Sequence, residues 1–345
     1  MIRRGEKSEA VAGVQQRLCE LGYTDARGRK LVVDGDYGRR TEQAITTWAS
    51  KNGIARQPGR LHNGAIEKLM GTDVPQPIER GPAQYGAYLW QATKMTTEET
   101  VNLATLLGLS RVFPKVMNKR GKQMYAKTMV ELVPALQAAG IEVIPWAFLD
   151  DVNGKEDAFK LAEIVRSLGC DGAIANMERE IVDGKTKAAR AHDAREIDDV
   201  LTVLSDELNG FIGFSSFRQL NYFPFPRDVF EKHSERVTYM PQCYNLKTAK
   251  QSQKRVEKSA VSWLKLDGCR VRVTLGAFPP KASQSETFGS KPAGIVAGAD
   301  AVRELARAEP LLDHGFDWWA LEQVREGYVD DSYRRALLVA NKAGA

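Results

Sequence analysis

The chain is poor in the residues that build metal and redox centres. Its four histidines, His62, His192, His233 and His314, are scattered, with no H-E-x-x-H and no pair at ligand spacing. Its four cysteines, Cys19, Cys170, Cys243 and Cys269, form no C-x-x-C pair, which argues against a zinc ribbon or a dithiol redox motif. No stretch approaches the eighteen apolar residues of a membrane span. The start, Met1-Ile2-Arg3-Arg4-Gly5-Glu6, lacks the apolar run of a secretory signal, so synthesis in the cytoplasm without a signal peptide is expected. Dinucleotide and P-loop fingerprints are missing, and Ser215-Ser216 lacks a G-x-S-x-G elbow. No block of Lys and Arg carries interleaved aromatics. These gaps predict a protein with no cofactor, no metal, no nucleic-acid partner and no stable membrane association.

What remains is ordinary globular material. The 345 residues are 43% hydrophobic and 27% charged, enough for two domains. The net charge of +5 is uneven: residues 1–75 hold 13 Lys and Arg against 9 Asp and Glu, and the rest holds 36 against 35. A mildly basic small domain suits an anionic polymer such as a cell wall.

Residues 1–74 predict helix, loop, helix and short helix. Val11, Val14, Leu18 and Leu21 recur at helical spacing before Gly22. Val32 to Gly38 is a Gly-rich loop, Thr41 can cap a helix bearing Ala44, Ile45 and Trp48, and Asn63 can cap a last short helix. Pro75, Pro77, Gly81 and Pro82 predict a stiff linker over 75–84.

From 85 to 345, short apolar strands alternate with helical stretches about every thirty residues. The strands are expected at Tyr85–Trp90, Arg111–Val116, Glu142–Phe148, Gly172–Met177, Gly210–Phe214, Val237–Gln242, Val271–Gly276 and Phe316–Leu321. Thr96-Thr97-Glu98-Glu99 has capping-box spacing. Eight strand–helix units predict an α/β (β/α)8 TIM barrel, with a doubly wound open sheet as the alternative.

Barrel active sites lie at the C-terminal ends of the strands. That rule selects Trp90 and Gln91, Lys115, Phe148 to Asp151, Asn176 to Glu180, Ser215 and Ser216, Gln242 to Asn245, and Trp318 to Glu322. Side chains two apart on a strand share a face, so Asn176 and Glu178 point together. A carboxylic acid beside an amide can protonate a glycosidic oxygen while a substrate's 2-acetamido carbonyl, steered by the amide, attacks the anomeric carbon. Glu178 is the expected general acid, with Asn176 and Tyr244 as orienting groups. Glu180 is the runner-up acid. Gln242, Trp90, Trp318, Trp319, Asp150 and Glu322 are candidates for substrate contact. Each has a plainer reading: an ion pair of Glu178 with Arg179 or Lys115, a helix cap for Asp150, packing for Tyr244, a surface salt bridge for Glu322. Trp318 and Trp319 must face opposite ways, so only one can stack on sugar.

Two resemblances sharpen this reading. Arg4-Gly5, Val11, Val14-Gln15, Leu18, Leu21-Gly22-Tyr23, Val33-Asp34-Gly35-Asp36-Tyr37-Gly38 and Arg40-Thr41-Glu42-Gln43-Ala44-Ile45 are similar to the peptidoglycan-binding domain 1 family, a three-helix wall-binding module. The resemblance implies a wall-contacting rim that includes Asp34, Asp36, Tyr37, Arg39 and Thr41. The alternative is that Asp34, Gly35 and Gly38 only shape a turn. In the barrel, Asp171-Gly172-x-Ile174-x-Asn176-x-Glu178 resembles the D-G-x-D-x-D-x-E of the chitinase-like family 18 glycoside hydrolases, with the acid kept and both inner aspartates lost. Gln242-Cys243-Tyr244-Asn245 is similar to that family's Q-x-Y-N, and Trp318-Trp319 falls where the family places a stacking Trp. The family 25 muramidases, with D-x-E on strand four, are a further comparison, but their strand-one aspartate has no counterpart in Tyr88-Leu89-Trp90-Gln91.

A wall-binding module ahead of a hydrolase barrel, without a signal peptide, resembles bacteriophage endolysins. It implies a monomeric peptidoglycan hydrolase, of muramidase or N-acetylglucosaminidase type, that reaches the wall after release. The rival readings are a non-catalytic wall-binding protein with a degenerate barrel and a hydrolase of another N-acetylated glycan such as chitin.

Overall fold

The computed structural model describes residues 2–25, 28–51, 59–61, 63–70, 84–149, 153–178, 187–220, 225–244, 246–277, 290–313, 315–324 and 331–342. Contacts divide the chain into two units, Met1–Gly81 and Pro82–Ala345. The expected linker lies, apart from Gln84, outside the described residues.

The first unit carries helices Glu9–Glu20, Arg39–Lys51 and Asn63–Met70, and a short antiparallel pair, Ile2–Arg3 with Arg60–Leu61. Ser8 caps the first helix by accepting from the Val11 N–H at 3.3 Å. Val11, Val14, Leu18, Tyr37, Ala44, Ile45, Trp48, Leu61 and Leu69 make its core. Leu21, expected on that apolar face, is exposed because the helix has already ended there. Thr41 caps nothing: the second helix starts two residues earlier, and Thr41 is buried in its first turn.

The second unit is a closed barrel of eight parallel strands, each followed by a helix. The strands are β1 (Tyr85–Leu89), β2 (Arg111–Asn118), β3 (Trp146–Leu149), β4 (Ala173–Met177), β5 (Ile212–Phe217), β6 (Val237–Cys243), β7 (Thr274–Gly276) and β8 (Phe316–Trp319). Each pairs in parallel with the next, and β8 closes on β1 with Trp319 opposite Tyr88. The helices are α1 (Thr97–Leu106), α2 (Ala126–Ala138), α3 (Gly154–Ser167), α4 (Lys187–Glu207), α5 (Arg227–Lys232), α6 (Ala249–Trp263), α7 (Pro292–Ala308) and α8 (Asp331–Lys342). Thr96 and Glu99 form the expected capping box at the start of α1. The third and seventh strands are longer in sequence than in pairing. Glu142–Val143 and Arg270–Val271 pair first, and the ladder breaks before β3 and β7 resume.

Alternation along the strands splits the apolar residues in two. Outward side chains pack beneath the helices in one large core. Inward ones, Tyr88, Phe113, Ile144, Trp146, Ile174 and Met240, fill the barrel interior. Gly86 permits this filling, since a Cβ there would sit 2.5 Å from both Asp317 Oδ1 and the Phe113 ring. At the N-terminal end of the barrel Arg272 is fully buried. It donates to both Asp317 oxygens, to Asp313 and to the Gln84 carbonyl, each at 2.7 Å. The paired carboxylates outweigh burial and hold the guanidinium firmly protonated.

All four thiols are free; Cys170, Cys243 and Cys269 are buried and Cys19 is half-buried. Among the described residues no helix is long and apolar enough to cross a membrane, and no group of three or more His, Cys, Asp or Glu could hold a metal ion.

Candidate active site

The C-terminal mouth of the barrel gathers polar residues above the aromatic filling. Asn176, on β4, is opposite Ser215 of β5 and Phe148 of β3. Glu178 follows one residue beyond the end of β4, where the strand no longer binds its neighbours and the side chain is half-exposed. Asn176 donates through Nδ2 to Glu178 Oε1 at 3.1 Å. Gln242, on β6, brings its Nε2 to 2.9 Å from Asn176 Oδ1, 3.1 Å from Glu178 Oε1 and 3.2 Å from Ser215 Oγ. Two amides therefore hold one oxygen of Glu178. Among the described residues nothing bonds Oε2, and Glu178 makes no ion pair, which removes the pairing with Lys115; Arg179, the other expected partner, lies outside the described residues.

Aromatic rings wall the mouth. Trp319 lies 5.0 Å from Tyr88, 5.4 Å from Trp146 and 6.0 Å from Tyr244, centroid to centroid. Trp319 is half-buried, so part of its ring faces the opening. Trp318 points the other way: it is buried, packs edge-on against Phe316 and donates through Nε1 to Asn341 Oδ1 of α8 at 3.0 Å. Trp318 is thus removed from the candidate sugar-contacting residues by its place in the outer core. Trp90 is half-buried and packs against the barrel interior, and its backbone N–H donates to Glu322 Oε2 at 3.2 Å. Glu322 is buried, so its expected surface salt bridge is replaced by a bond that ties the end of β1 to the segment after β8. Asp150, Glu180 and Asn245 lie outside the described residues.

The electrostatics favour neutral donors around Glu178. Burial, then the Glu178 charge, pushes the Tyr244 phenol well above its ordinary range, so it stays a hydrogen-bond donor. Burial raises Tyr88 likewise. Lys115, only 6% exposed, lies 5.0 Å from the centre of the Trp146 ring. Burial lowers its pKa against the attraction of Glu178. Neither Tyr88 nor Trp146 was singled out from sequence. The signal was available, since Tyr88 shares a face with Trp90, and Trp146 with Phe148.

In the first unit, the Gly-rich loop is built around a side chain that sequence reading placed only in a motif. Gln15 Oε1 accepts from the N–H groups of Asp34 and Gly35 at 3.1 and 2.8 Å. Its Nε2 donates to Asp34 Oδ1, the Asp36 carbonyl and Thr41 Oγ1. Gly35 turns at φ 72°, a left-handed conformation that suits glycine. Tyr37 is buried and its hydroxyl donates to Glu42 at 2.7 Å. Tyr37 and Thr41, expected on a binding rim, are therefore core residues. Asp34 and Arg39 are exposed, and Asp36 is half-exposed and paired with Lys7 at 2.9 Å. Hydrogen bonds from the Asp36 N–H and Gln15 hold the Asp34 carboxyl below its ordinary range.

No family model matches the chain, and no curated protein matches it. Solved structures match at the level of fold. A GH18 chitinase, ChiB, from Flavobacterium johnsoniae is 8% identical with a TM-score of 0.51, over 76% of this chain and 94% of its own. A class V chitinase from Pseudomonas fluorescens is 10% identical with a TM-score of 0.52, over 75% and 99%. The spore cortex-lytic enzyme SleL of Bacillus megaterium is 11% identical with a TM-score of 0.50, over 99% and 85%. What these identities establish is a shared (β/α)8 barrel.

Proposed function

We propose that this protein is a glycan hydrolase that cleaves a glycosidic bond next to a 2-acetamido sugar, with Glu178 as the proton donor. The observation that carries the reading is the placement of Glu178: half-exposed at the barrel mouth, with one oxygen held by two amides and, among the described residues, no ion pair and no partner on the other oxygen. In this reading protonated Oε2 gives its proton to the leaving glycosidic oxygen as that C–O bond breaks. The acetamido carbonyl oxygen bonds the anomeric carbon and forms an oxazolinium ion. Water then opens the ring, and the Glu178 carboxylate takes the proton back. Asn176 and the Tyr244 hydroxyl orient the acetamido group, Gln242 orients both Asn176 and Glu178, and Trp319 supports a sugar ring. Trp90 lines the opening beside it. Asn176 supplies a dipole where an aspartate would supply a charge, which predicts slow turnover.

The glycan we favour is peptidoglycan, cut as by a muramidase or an N-acetylglucosaminidase. Two things support this choice: the resemblance of residues 1–74 to a wall-binding module, and the likeness across nearly the whole chain to an enzyme named for lysis of the spore cortex. A module that holds the wall raises the local concentration of the barrel on its polymer. An endolysin role, with the wall reached after release from the cytoplasm, is the narrowest form of the proposal. The loss of Asp at 176 favours a second reading, a wall-binding protein with an inert barrel.

Turbidity loss of outer-membrane-stripped cells tests both. Clearing by the wild type and not by Glu178→Gln supports the hydrolase. Equal clearing by both removes Glu178 from the mechanism, and clearing by neither leaves the binding protein. Mass spectrometry of reduced products then names the bond, from which sugar carries the new reducing end.

A further inference from the structure

A cavity of about 380 Å³ lies outside the aromatic mouth, bounded by Arg218, Lys247, Gln251, Lys254, Arg255 and Lys258. Five of these six are cations, and the depression is open to solvent. Helix geometry explains the clustering: 251, 254, 255 and 258 fall on one face of α6 at spacings of three and four. Lys254 and Lys258 stand one turn apart, an arrangement that weakens an isolated helix. The one carboxylate of α6, Glu257, forms no ion pair with them. Among the described residues Lys247, Lys254, Arg255 and Lys258 have no acidic partner. Arg255 Nε is shielded from solvent and makes no hydrogen bond. Burial and the neighbouring charge of Arg255 both lower the pKa of Arg218. Positive charge on Lys247, Lys254, Arg255 and Lys258, without an acidic partner among the described residues, is complementary to an anion.

The cavity sits on the same rim as the candidate active site. Arg218 follows the end of β5, three residues past Ser215, and Lys247 is three residues past Tyr244. Three residues of extended chain reach ~11 Å at most. Arg218 and Lys247 therefore have their Cα atoms within that reach of Ser215 and Tyr244, a span that a peptide side branch can cover. Chitin carries no anion to place there. A peptidoglycan strand does, since the peptide stems on its muramic acid residues end in free carboxylates.

We propose that this cavity binds the stem-peptide carboxylates of a peptidoglycan strand while the glycan lies across the barrel mouth. The proposal rests on the hydrolase reading above and names which glycan that site accepts. The cations act as a selectivity filter, favouring peptide-bearing strands over neutral glycans. Binding through them weakens as salt is raised.

The test uses the full chain and two double variants, Lys254→Gln with Arg255→Gln and Lys247→Gln with Lys258→Gln. Thermal melting checks that each folds. Free stem tripeptide, its fully amidated form and inorganic phosphate are titrated by NMR. Cleavage is measured on intact sacculi and on sacculi whose stem-peptide carboxylates have been chemically amidated. The expected result is tripeptide binding weakened about tenfold in either variant, ~1.4 kcal/mol, with little binding of the amidated peptide. The apparent KM should rise by a similar factor on intact sacculi and stay unchanged on amidated ones. Equal binding of the two peptide forms, wild-type affinity in both folded variants, or tighter binding of phosphate than of tripeptide would overturn the assignment. The two readings fail separately. No cleavage by the wild type, with tripeptide binding that the variants lose, sinks the hydrolase and keeps the cavity. Cleavage with the same KM ratio in all three proteins sinks the cavity and keeps the hydrolase.

Discussion

Gln242 donates through Nε2 to Glu178 Oε1 across 3.1 Å, although the two residues are 64 positions apart. The same nitrogen reaches Asn176, so a single amide on β6 bonds both Asn176 of β4 and Glu178 just past its end. Glu178→Gln keeps the shape and removes the acid. Hydrolysis should fall by roughly 10²–10⁴-fold, with the melting temperature almost unchanged. Activity assays beside calorimetry check this, and a large fall in stability would make Glu178 a structural residue.

Asn176→Asp places a charge beside the position that the proposed oxazolinium ion would take. We expect turnover to rise about tenfold, equivalent to ~1.4 kcal/mol at the transition state, with KM little changed. Steady-state kinetics on defined glycan fragments would show it. A slower Asp variant would argue against acetamido assistance.

The adjacent tryptophans should behave differently. Trp319→Ala removes a ring from the mouth and should raise KM about tenfold. Trp318→Phe removes the bond to Asn341 and should cost about 1 kcal/mol of stability with kinetics unchanged. Denaturant melts paired with kinetics separate the two, and a KM effect at Trp318 would contradict the outward placement.

Lys115 should lower stability at neutral pH. Its folded pKa is lowered from 10.5, chiefly by burial. Between that lowered value and 10.5 the unfolded chain holds a proton that the native protein has released, so stability rises with pH across this window. Below it the penalty is fully present. Lys115→Met should therefore melt higher than wild type at neutral pH, with the gap closing as pH approaches 10.5. Thermal melts across that range check the sign. A Met variant that melts lower would mean the contacts of the ammonium with Trp146 and Phe148 outweigh its desolvation.

Arg272→Met leaves Asp317 buried without its partner. The cost should be about 3–5 kcal/mol, whereas replacing both residues with apolar ones of similar volume should recover most of it. Denaturant titration of the single and double variants measures the difference.

Periodicity and turn chemistry made the barrel legible, because buried parallel strands leave apolar runs and each helix announces its start or stop. Thr96 with Glu99, and Gly140 and Gly169 at positive φ, mark such ends. The breaks before β3 and β7 were not legible, since pairing depends on neighbours far along the chain. At the site, Asn176 and Glu178 could be seen because they share one strand. Their contact with Gln242 and Ser215 depends on how β4, β5 and β6 are staggered, which no local pattern encodes. Tyr37 was misplaced for a related reason. A tyrosine in a Gly-rich loop looks like a surface ring until the hydroxyl is found bonded to Glu42.

The few sulfhydryls have a consequence of their own. Burial raises Cys170 to about 12 and Cys243 to about 11, and Cys269 shifts the same way. Only thiolates attack disulfides or take up oxidants quickly, so these three are chemically silent at physiological acidity. Cys19, half-buried, is the one position where an alkylating reagent should leave a mark on the native molecule. Oxidising surroundings would therefore leave the barrel's three thiols untouched and act on the molecule only through Cys19.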